Sequence, residues 1–463
     1  YFVDCIQDQS IYFDKKLLTV SLKKSYDTEK YIAYKLILGL LTGSKAKPWN
    51  FDIEKYRNVN GCDLSNEQMK VPENICKYAV SILNGSAGSG KSFSSQAAIN
   101  MLEDNNKSYV LFAPTGKAAK VIAEYTNRSA STIHRGLGYM PPSEWCVNTE
   151  NPLNCDVVII DEFSMTDIFL FKHVLDAIDF KHTKLLLIGD SAQLPSVGCG
   201  NVLHDLIESN VIPTVTLTKI FRYGEGGLMK VATDVRMCKP YLSSIENTLT
   251  WFGDNKDYAF INVGDSLIVK NSVGLYKKLL NQGYQCEDIA FLTAYKKGEY
   301  GSIKINNALQ RIANKNYNSN NFMMIGDTKY FVNDLVMQTV NNYHAEIYYD
   351  DFCNDNDAEE TFIANGESGV IKEIHYGYAI IQFDDVTVKY YRNDMQTISL
   401  GYAMTIHKSQ GSSAKVVILI TPKAHTFMLN SNLIYVGLTR MKEKCFHLGT
   451  KSTVDIAVKK KAN

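Results

Sequence analysis

Short apolar runs alternate with helical stretches along the chain from about Leu64 onward. Four of these runs are nearly continuous and end in small or polar residues. They occupy residues 79–85, 108–115, 156–162 and 184–190. Runs of this kind are typical of central strands in a parallel sheet that is covered on both faces. The pattern predicts an α/β domain over 64–216, with the polar residues after the strands at its ligand-binding edge.

A second α/β region begins near residue 217. The runs at 288–295 and 416–422 again predict parallel strands, whereas residues 331–395 hold short strands separated by turn residues. This change of pattern predicts a small antiparallel barrel that is inserted into a second α/β domain. The two parts of that second domain are then residues 217–330 and 396–463.

Residues 1–63 precede the alternating pattern. Apolar residues recur among them at helical spacing, at Ile32, Leu36 and Leu40, and Thr42–Ser44 is expected to end that helix. We interpret this part as an accessory segment, the end of a larger domain. The chain starts with Tyr instead of Met, which leaves open whether further residues precede it.

Composition limits the classes of protein further. A length of 463 residues favours two or more domains, and 49 basic against 49 acidic side chains give no overall indication of a polyanionic partner. A local basic groove would still be enough to bind one. Ten scattered cysteines without a CxxC pair argue against zinc and for a reducing, cytoplasmic location. No apolar run could span a bilayer and no signal peptide is visible, so we expect no membrane contact.

A glycine-rich segment follows the first apolar run. Residues 85–92 (GSAGSGKS) match the GxxxxGK[ST] phosphate-binding loop in full and precede a helical stretch. Glycines let backbone N–H groups turn toward phosphate oxygens, and the helix N-terminus adds partial positive charge. The pattern predicts ATP and Mg²⁺ as cofactors, with Lys91 on the β- and γ-phosphates and Ser92 on the metal. The nucleotide-binding residues of this loop would be Gly85, Gly88, Gly90, Lys91 and Ser92.

Two further loops carry candidate chemistry after strands. Asp161 would hold Mg²⁺ through water, and Glu162 would polarise the water that attacks the γ-phosphate, because adjacent strand residues point to opposite sides. The pair lies about 70 residues after the phosphate loop, a spacing that strengthens this interpretation. Gln193, in the loop after the fourth run, is suited to sense the γ-phosphate because its amide both donates and accepts.

Two arginines, Arg222 and Arg440, lie outside the first α/β domain. A planar guanidinium can stabilise the charge that develops on a transferring phosphoryl group. If both come from the second domain or the joint, ATP would close the cleft between the domains and hydrolysis would release it. For either arginine alone a surface salt bridge is the ordinary alternative, but the surrounding motifs favour the catalytic role.

In combination, these segments resemble the motifs of superfamily-one helicases, specifically the RecD-like 5′→3′ DNA helicases. The resemblance covers about residues 64–450, and the forms TIH, QLPSVG and TIHKSQGS are specific to the RecD-like group. The motifs occur in family order at residues 64–68, 85–92, 113–119, 131–134, 161–165, 189–198, 221–222, 402–412 and 435–440.

The resemblance implies an α/β fold of two RecA-like P-loop domains, preceded by a partial N-terminal accessory element. Residues 64–216 would be domain 1A, residues 217–330 and 396–463 domain 2A, and residues 331–395 an SH3-like β-barrel insertion, 2B. It also implies that a short insertion at about 136–154 forms a pin that splits the duplex.

The resemblance further implies the ligand contacts of individual residues. Gln68 would read the adenine edge, whereas contacts to single-stranded DNA, chiefly to its backbone, would come from Thr115, His134, Thr405 and His407. In the pin, Tyr139 and Trp145 offer aromatic rings. Trp145 either stacks on a base or packs the hairpin, and the sequence favours neither.

Three positions depart from the family pattern. Ser413 follows the Gly-Ser of the 402–412 motif where a Glu that often contacts ribose is common, which leaves the nucleotide selectivity open. The last motif reads VGLTR where VALTR is usual, and the phosphate loop ends in Lys-Ser where Lys-Thr is common; both changes keep the functional groups.

The sequence thus predicts an ATP-dependent 5′→3′ single-stranded DNA translocase and DNA helicase, acting in DNA repair, recombination or replication. We expect a monomeric motor that binds single strands and duplex junctions, with protein partners through the N-terminal segment. One alternative is a nucleic-acid-stimulated ATPase that remodels RNA or nucleoprotein without strand separation. Another, a non-catalytic binding subunit, conflicts with the intact phosphate loop and acidic pair. The pathway, the source and the partners stay open.

Overall fold

The computed structural model describes residues 10–14, 18–43, 47–140, 142–221, 226–242, 248–349, 359–384 and 386–461. The chain divides into two compact units, Tyr1–Arg222 and Tyr223–Asn463. Of the helices in these described stretches, none is both long enough and apolar enough to cross a membrane.

A parallel sheet forms the centre of the first unit. The described strands of this unit are β1 (Ile11–Asp14), β2 (Thr19–Leu22), β3 (Asn58–Val59), β4 (Cys62–Asp63), β5 (Val80–Gly85), β6 (Tyr109–Ala113), β7 (Ser131–Thr132), β8 (Tyr139–Met140), β9 (Glu144–Trp145), β10 (Val157–Ile160), β11 (Lys184–Gly189) and β12 (Thr214–Leu217). Six of them form one sheet in the order β12-β5-β11-β10-β6-β7, and every neighbouring pair in it is parallel. The four strands predicted from apolar runs are confirmed as β5, β6, β10 and β11.

The order of these strands decides which loops are neighbours. β11 lies between β5, which leads into the phosphate loop, and β10, which ends at the acidic pair. Because all three strands run parallel, the segments that follow them start at the same edge of the sheet. The loop of Gln193, which follows β11, therefore starts between the phosphate loop and the acidic pair.

Helices cover both faces of this sheet. The described helices of the first unit are α1 (Lys23–Gly43), α2 (Asn66–Lys77), α3 (Lys91–Asp104), α4 (Gly116–Thr126), α5 (Ile133–Gly136), α6 (Ile168–Asp176) and α7 (Val202–Glu208). Successive strand residues point into different cores: Leu83 and Leu186 into one, Ile82 and Leu187 into the other. Side-chain N-caps begin several helices, at about 1 kcal/mol each. The capping residues are Ser65, Thr115, Thr132 and Asp167.

The N-terminal residues pack onto this same unit. α1 contains the helix expected around Ile32 and ends at Gly43, as the sequence predicts, and Ile32 and Leu36 belong to the core beneath α6. Tyr56 and Val59 belong to the core on the other face of the sheet. Residues 10–14, 18–43 and 47–63 are thus attached to the first unit, and their assignment as an accessory segment stays a prediction.

The second unit contains a mixed sheet and five described helices. The sheet has the order β13 (Leu249–Phe252), β14 (Tyr258–Asn262), β27 (Met441–Gly449), β26 (Ala414–Thr421), β15 (Ile289–Thr293) and β25 (Ala403–Thr405). Only the pair β13 and β14 is antiparallel among them. The strands expected at 288–295 and 416–422 are confirmed as β15 and β26. The helices are α8 (Gly227–Arg236), α9 (Asp265–Asn281), α10 (Ser302–Ala313), α11 (Ser431–Leu438) and α12 (Lys451–Val458).

Antiparallel strands occupy the stretch between β15 and β25. A hairpin of β16 (Phe322–Ile325) and β17 (Thr328–Phe331) precedes a seven-stranded sheet. The strands of that sheet are β18 (Leu335–Gln338), β19 (Asn342–Ile347), β20 (Glu360–Ile363), β21 (Ser368–Ile374), β22 (Tyr378–Phe383), β23 (Thr387–Tyr391) and β24 (Ile398–Leu400). Their order is β20-β19-β23-β22-β21-β18-β24, with antiparallel pairing throughout. The predicted change to antiparallel strands is confirmed, whereas the SH3-like class of the insertion stays a prediction.

Two buried polar groups organise the second unit. Asp334 is 0% exposed, and its carboxylate accepts hydrogen bonds from Gln310, Asn314, Tyr402 and the backbone N–H of Phe331, at 2.6–2.9 Å. These bonds tie α10 to the antiparallel strands. Burial raises the pKa of the Asp334 carboxyl.

The second group is His447 on β27. Its Nδ1 lies 2.9 Å from the Tyr258 hydroxyl and its Nε2 lies 2.9 Å from the Thr421 hydroxyl. Burial lowers the pKa of His447 to about 3, so the ring is neutral near pH 7.

Candidate nucleotide site and nucleic-acid contacts

The phosphate loop connects β5 with the first turn of α3. Gly88 and Gly90 have φ values of +80° and +86°, a conformation that residues with a Cβ rarely adopt. The Ser89 N–H donates to Ser86 O (3.1 Å) and closes the turn, and the Phe221 N–H donates to Gly88 O (2.8 Å). The loop is therefore attached at its middle to the segment after β12.

Lys91 folds back onto this loop. Its Nζ donates to Gly85 O at 2.7 Å and to Ser86 O at 3.2 Å. The Ser86 and Ser89 hydroxyls are buried and have no hydrogen-bond partner in the described part of the chain. Phosphate oxygens would supply acceptors to all three donors, so the residues present fit a nucleotide phosphate. Ser92 is exposed on the first turn of α3, where its hydroxyl is accessible to a metal ion.

The acidic pair follows β10. Asp161 Oδ1 accepts from the Glu162 N–H at 2.7 Å, and Asp161 Oδ2 accepts from the Tyr125 hydroxyl at 3.0 Å. Glu162 has a left-handed φ of +51°, which is uncommon for a residue with a side chain. Burial raises the pKa of Asp161, while the Glu162 N–H, Lys91 and Tyr125 oppose that shift. Burial also raises the pKa of Tyr125 well above its usual range, so its phenol acts as a donor.

The Gln193 loop starts beside the phosphate loop. Asp190, buried at the end of β11, accepts from the Gln193 and Ala192 N–H groups through its carbonyl and carboxylate oxygens, each at 3.0 Å. The Ser191 N–H donates to Asn84 Oδ1 on β5 at 3.1 Å. Sequence reasoning missed Asn84, although a polar residue at the end of a buried strand is a usable signal. Gln193 is buried at 4% exposure, and its role as a γ-phosphate sensor stays a prediction.

Gln68, predicted to read adenine, is engaged locally. Its Oε1 accepts from the Ser65 N–H at 2.8 Å in a capping box, and its Nε2 donates to Gly90 O at 3.4 Å. A Cβ at Gly90 would overlap with Gln68 Nε2. The structure thus gives Gln68 a role in shaping the phosphate loop, and its contact with a base remains a prediction.

Of the two predicted arginines, the structure describes only Arg440. Arg222 lies outside the described residues. Arg440 follows α11 in the second unit and is 6% exposed. Its guanidinium donates to Val436 O, Ser412 O and the Thr439 hydroxyl at 3.1–3.3 Å. These neutral oxygens hold Arg440 against the loop before β26, and its action on phosphate stays a prediction.

The predicted nucleic-acid contacts of the first unit lie at two helix starts. Thr115 is the N-cap of α4 and accepts from the Ala118 N–H at 3.2 Å. His134 is the second residue of α5, whose N-cap is Thr132, and burial lowers the pKa of His134. Thr115 lies two residues after the end of β6, and His134 lies two residues after the end of β7. Both residues therefore lie beyond the ends of neighbouring parallel strands.

Trp145, on the predicted pin, packs between two histidines. The stretch predicted as the pin, about 136–154, contains the short hairpin of β8 and β9. The Trp145 ring stacks on His173 of α6 with centroids 4.3 Å apart, and His134 lies 5.5 Å away on a tilted plane. Tyr139 contacts the same ring at 4.7 Å. These contacts show Trp145 packing the hairpin onto the unit.

Thr405 and His407 lie in the second unit. Thr405 ends β25, opposite Thr293 of β15, and its hydroxyl accepts from the Lys408 N–H at 3.4 Å. His407 begins a short 3₁₀ turn, is half-buried, and has a pKa lowered by burial. Both residues stay predicted contacts of nucleic acid.

The phosphate loop, the acidic pair and the intervening strand define the first unit as a P-loop NTPase core. A family model described as an AAA domain matches residues 63–246, and one described as a UvrD-like helicase C-terminal domain matches residues 400–446. The ATP-dependent RecD2 DNA helicase of Deinococcus radiodurans is 29% identical over 395 residues, which are 85% of this chain and 50% of that protein. The RecBCD enzyme subunit RecD of Mycolicibacterium smegmatis is 26% identical over 433 residues, covering 86% of this chain and 73% of that protein.

The sequence of this chain is similar to RecD-like superfamily-one helicases over most of its length. It spans half the length of the Deinococcus relative. Among solved structures, Pif1 helicase from Candida albicans is similar at a TM-score of 0.49 and 19% identity, covering 85% of this chain and 97% of that one. Bacteroides Pif1 bound to ssDNA has a TM-score of 0.47 and 18% identity, covering 85% and 94%.

Proposed function

We propose that this chain is an ATP-dependent motor that moves 5′→3′ along single-stranded DNA and separates the strands of a duplex. The observation that carries the proposal is the sheet order of the first unit, in which β11 brings the Gln193 loop between the phosphate loop and the acidic pair. A nucleotide at this edge can therefore be bound, hydrolysed and sensed by three adjacent loops. Similarity to RecD-like helicases supports DNA as the track.

ATP and Mg²⁺ fit the residues of this site. Lys91 would exchange Gly85 O and Ser86 O for phosphate oxygens, and Ser92 with Asp161 would hold the metal. The metal would neutralise charge on the phosphates. Glu162 would orient and polarise the attacking water, Gln193 would sense the γ-phosphate, and the predicted Arg222 and Arg440 would stabilise the transferring group.

The strand would be held mainly through its backbone. Thr115, His134, Thr405 and His407 are short or half-buried side chains suited to phosphate and sugar contacts, which makes movement independent of base sequence. We further propose that the motor acts on single strands and duplex junctions as a monomer, in repair, recombination or replication. Protein partners would use the N-terminal segment.

Steady-state ATP hydrolysis tests the proposal. Single-stranded DNA should stimulate hydrolysis by the full chain at least tenfold, and Lys91→Ala should abolish both the basal and the stimulated rate. Lys107→Ala is the matched control, because Lys107 pairs with Asp156 before β10, away from the loop. Equal hydrolysis with and without nucleic acid would refute the DNA-driven motor.

Tailed duplexes test the direction. Unwinding of duplexes with 5′ tails and not of those with 3′ tails is expected, and the reverse preference would overturn the proposed polarity.

Ser413 favours one further candidate. This exposed residue occupies a position where the RecD-like pattern commonly has Glu, so the chain departs there from a motif on which the helicase assignment rests. A nucleic-acid-stimulated ATPase that remodels RNA or nucleoprotein without strand separation is therefore the second candidate. Stimulation by RNA equal to that by DNA, without unwinding, would favour it.

A further inference from the structure

Tyr125 connects three elements of the candidate nucleotide site. It lies in the last turn of α4, and its hydroxyl donates to Asp161 Oδ2 at 3.0 Å. The same hydroxyl interacts with the Ser95 side chain on α3. Ser95 in turn donates to Lys91 O at 2.9 Å, one turn from the phosphate loop. One phenol therefore contacts the acidic residue after β10 and the helix that begins at the phosphate loop.

These contacts fix the plane of the Asp161 carboxylate. The Glu162 N–H holds Oδ1 and Tyr125 holds Oδ2, so both oxygens are restrained. Each carboxylate oxygen has two lone pairs, and one hydrogen bond leaves the second available to a further ligand. Without the phenol, only the adjacent backbone N–H would orient the group, and the side chain could rotate about its terminal bond.

We propose that Tyr125 is a positioning residue, which holds Asp161 ready for the metal–nucleotide complex and couples its orientation to α4. This inference deepens the proposed function and rests on it.

The coupling follows from the position of α4. The helix begins after Thr115, the predicted contact with the strand, and ends at Thr126. Its 11 residues form a rod of about 16 Å with Tyr125 in the last turn. The Asp161 N–H also donates to Phe112 O of β6, at 3.0 Å, just before that helix. Asp161 thus contacts both ends of the segment that carries Thr115, so a shift of α4 on strand binding would change the hydrogen bond from Tyr125.

A matched pair of variants separates this role from the general loss of a phenol. Tyr125→Phe removes the hydroxyl beside Asp161. Tyr109→Phe removes one that donates to Glu103 Oε1 at 2.6 Å, in the same unit but at the far end of α3. Both variants lose one tyrosine–carboxylate hydrogen bond, but only the first loses it at the nucleotide site.

The experiment measures equilibrium binding of a fluorescent ATP analogue by the full chain, with and without a saturating oligothymidine strand. In Tyr125→Phe the Mg²⁺ concentration for half-maximal binding should rise about tenfold, the size expected for one hydrogen bond to a charged group. Binding in EDTA should be unchanged, which a general structural defect would not allow. The change in nucleotide affinity on adding the strand should shrink toward none. Tyr109→Phe should match the wild type in each measurement.

Tyr125→Phe with wild-type Mg²⁺ dependence would overturn the positioning role, and an undiminished effect of the strand would overturn the coupling. If the strand leaves wild-type binding and hydrolysis unaffected, the proposed DNA-driven function fails. The Mg²⁺ dependence of the two variants then still decides whether Tyr125 positions Asp161.

Discussion

Gly90 illustrates how one residue meets two separate demands. Its φ of +86° requires a left-handed backbone, and a Cβ there would overlap with Gln68 Nε2. Gly61 has a similar φ of +81° in the turn between β3 and β4, but nothing lies within 4 Å of its Cβ position. The two glycines therefore share the backbone requirement and differ in the steric one.

We predict that Gly61→Ala and Gly90→Ala each lower the free energy of unfolding by about 1 kcal/mol, the cost of a left-handed alanine. Only Gly90→Ala should also weaken ATP binding, by at least tenfold, because the displaced Gln68 amide distorts the phosphate loop. Chemical unfolding and titration with a fluorescent nucleotide measure the two effects. Equal nucleotide affinity in both variants would contradict the steric role of Gln68.

The buried carboxylate of Asp334 gives a second prediction at the scale of single residues. Asp334→Asn replaces one acceptor oxygen of a carboxylate that receives four donors with a donating NH₂ group. We predict a loss of about 3 kcal/mol in unfolding free energy, because a buried donor then faces donors. Asp327→Asn, at the exposed turn between β16 and β17, should change little. A thermal shift of equal size in both variants would show that the network contributes nothing.

At the scale of elements, a stacked pair of aromatic rings, Trp145 and His173, attaches the hairpin of β8 and β9 to the first unit. Trp145 and His173 have ring centroids 4.3 Å apart, and Trp145 packs against the core beneath α6. We predict that Trp145→Ala and His173→Ala both destabilise the first unit and that a double-mutant cycle gives a coupling of about 1 kcal/mol. Hydrogen exchange in β10 and β11 reports the unit's stability.

The same variants decide between the two roles of Trp145. Affinity for single-stranded DNA should change by less than twofold in Trp145→Ala if the ring only packs the hairpin. A tenfold loss of affinity with unchanged stability would instead show that the ring stacks on a base, an interaction of about 1–3 kcal/mol.

The elements differed in how far the sequence could predict them. β5, β10 and β11 are buried on both faces, so their apolar runs identify them directly. β13 has only four residues, all exposed or half-buried, and β19 is similar in burial except for Ala345, so neither shows the continuous buried run of a central strand. Short local patterns do not specify strands that depend on cross-strand partners.

The candidate site was predictable where its chemistry is local. The phosphate loop is a contiguous motif, and Asp161 and Glu162 directly follow a strand. Tyr125 could not be found in this way, because 36 residues separate it from Asp161 and only the folded structure brings the last turn of α4 to the residue after β10. Asn84 is intermediate, since its partner Ser191 is distant but its polar side chain interrupts an apolar strand.

At the scale of the whole molecule, two buried histidines of the second unit contribute to the loss of stability in acid. Burial lowers the pKa of His447 to about 3 and that of His425 to about 4, whereas an unfolded histidine titrates near 6.5. Between these values the unfolded chain binds more protons, so stability is full above pH 6.5 and falls as the pH decreases. Each histidine contributes a slope of up to about 1.4 kcal/mol per pH unit.

The unfolding free energy of the wild type falls between pH 6.5 and 4. We predict that it falls less in His447→Gln, by about the amount that the uptake of one proton on unfolding contributes. The exposed His204→Gln should retain the wild-type pH dependence. Chemical unfolding at intervals of half a pH unit measures the slopes. A variant slope identical to that of the wild type would exclude His447 as a source of acid sensitivity.

The parallel sheet of the first unit also constrains how this chain can fold during synthesis. β5 carries the phosphate loop, but its neighbours in the sheet are β11 and β12, at residues 184–189 and 214–217. When a nascent chain has been synthesised as far as residue 92, its phosphate-loop motif is complete, but neither β11 nor β12, the strands that pair with β5, has been made. The pocket for nucleotide therefore forms late, after slow pairing of distant strands, and ATP can stabilise this unit only once β12 has left the ribosome.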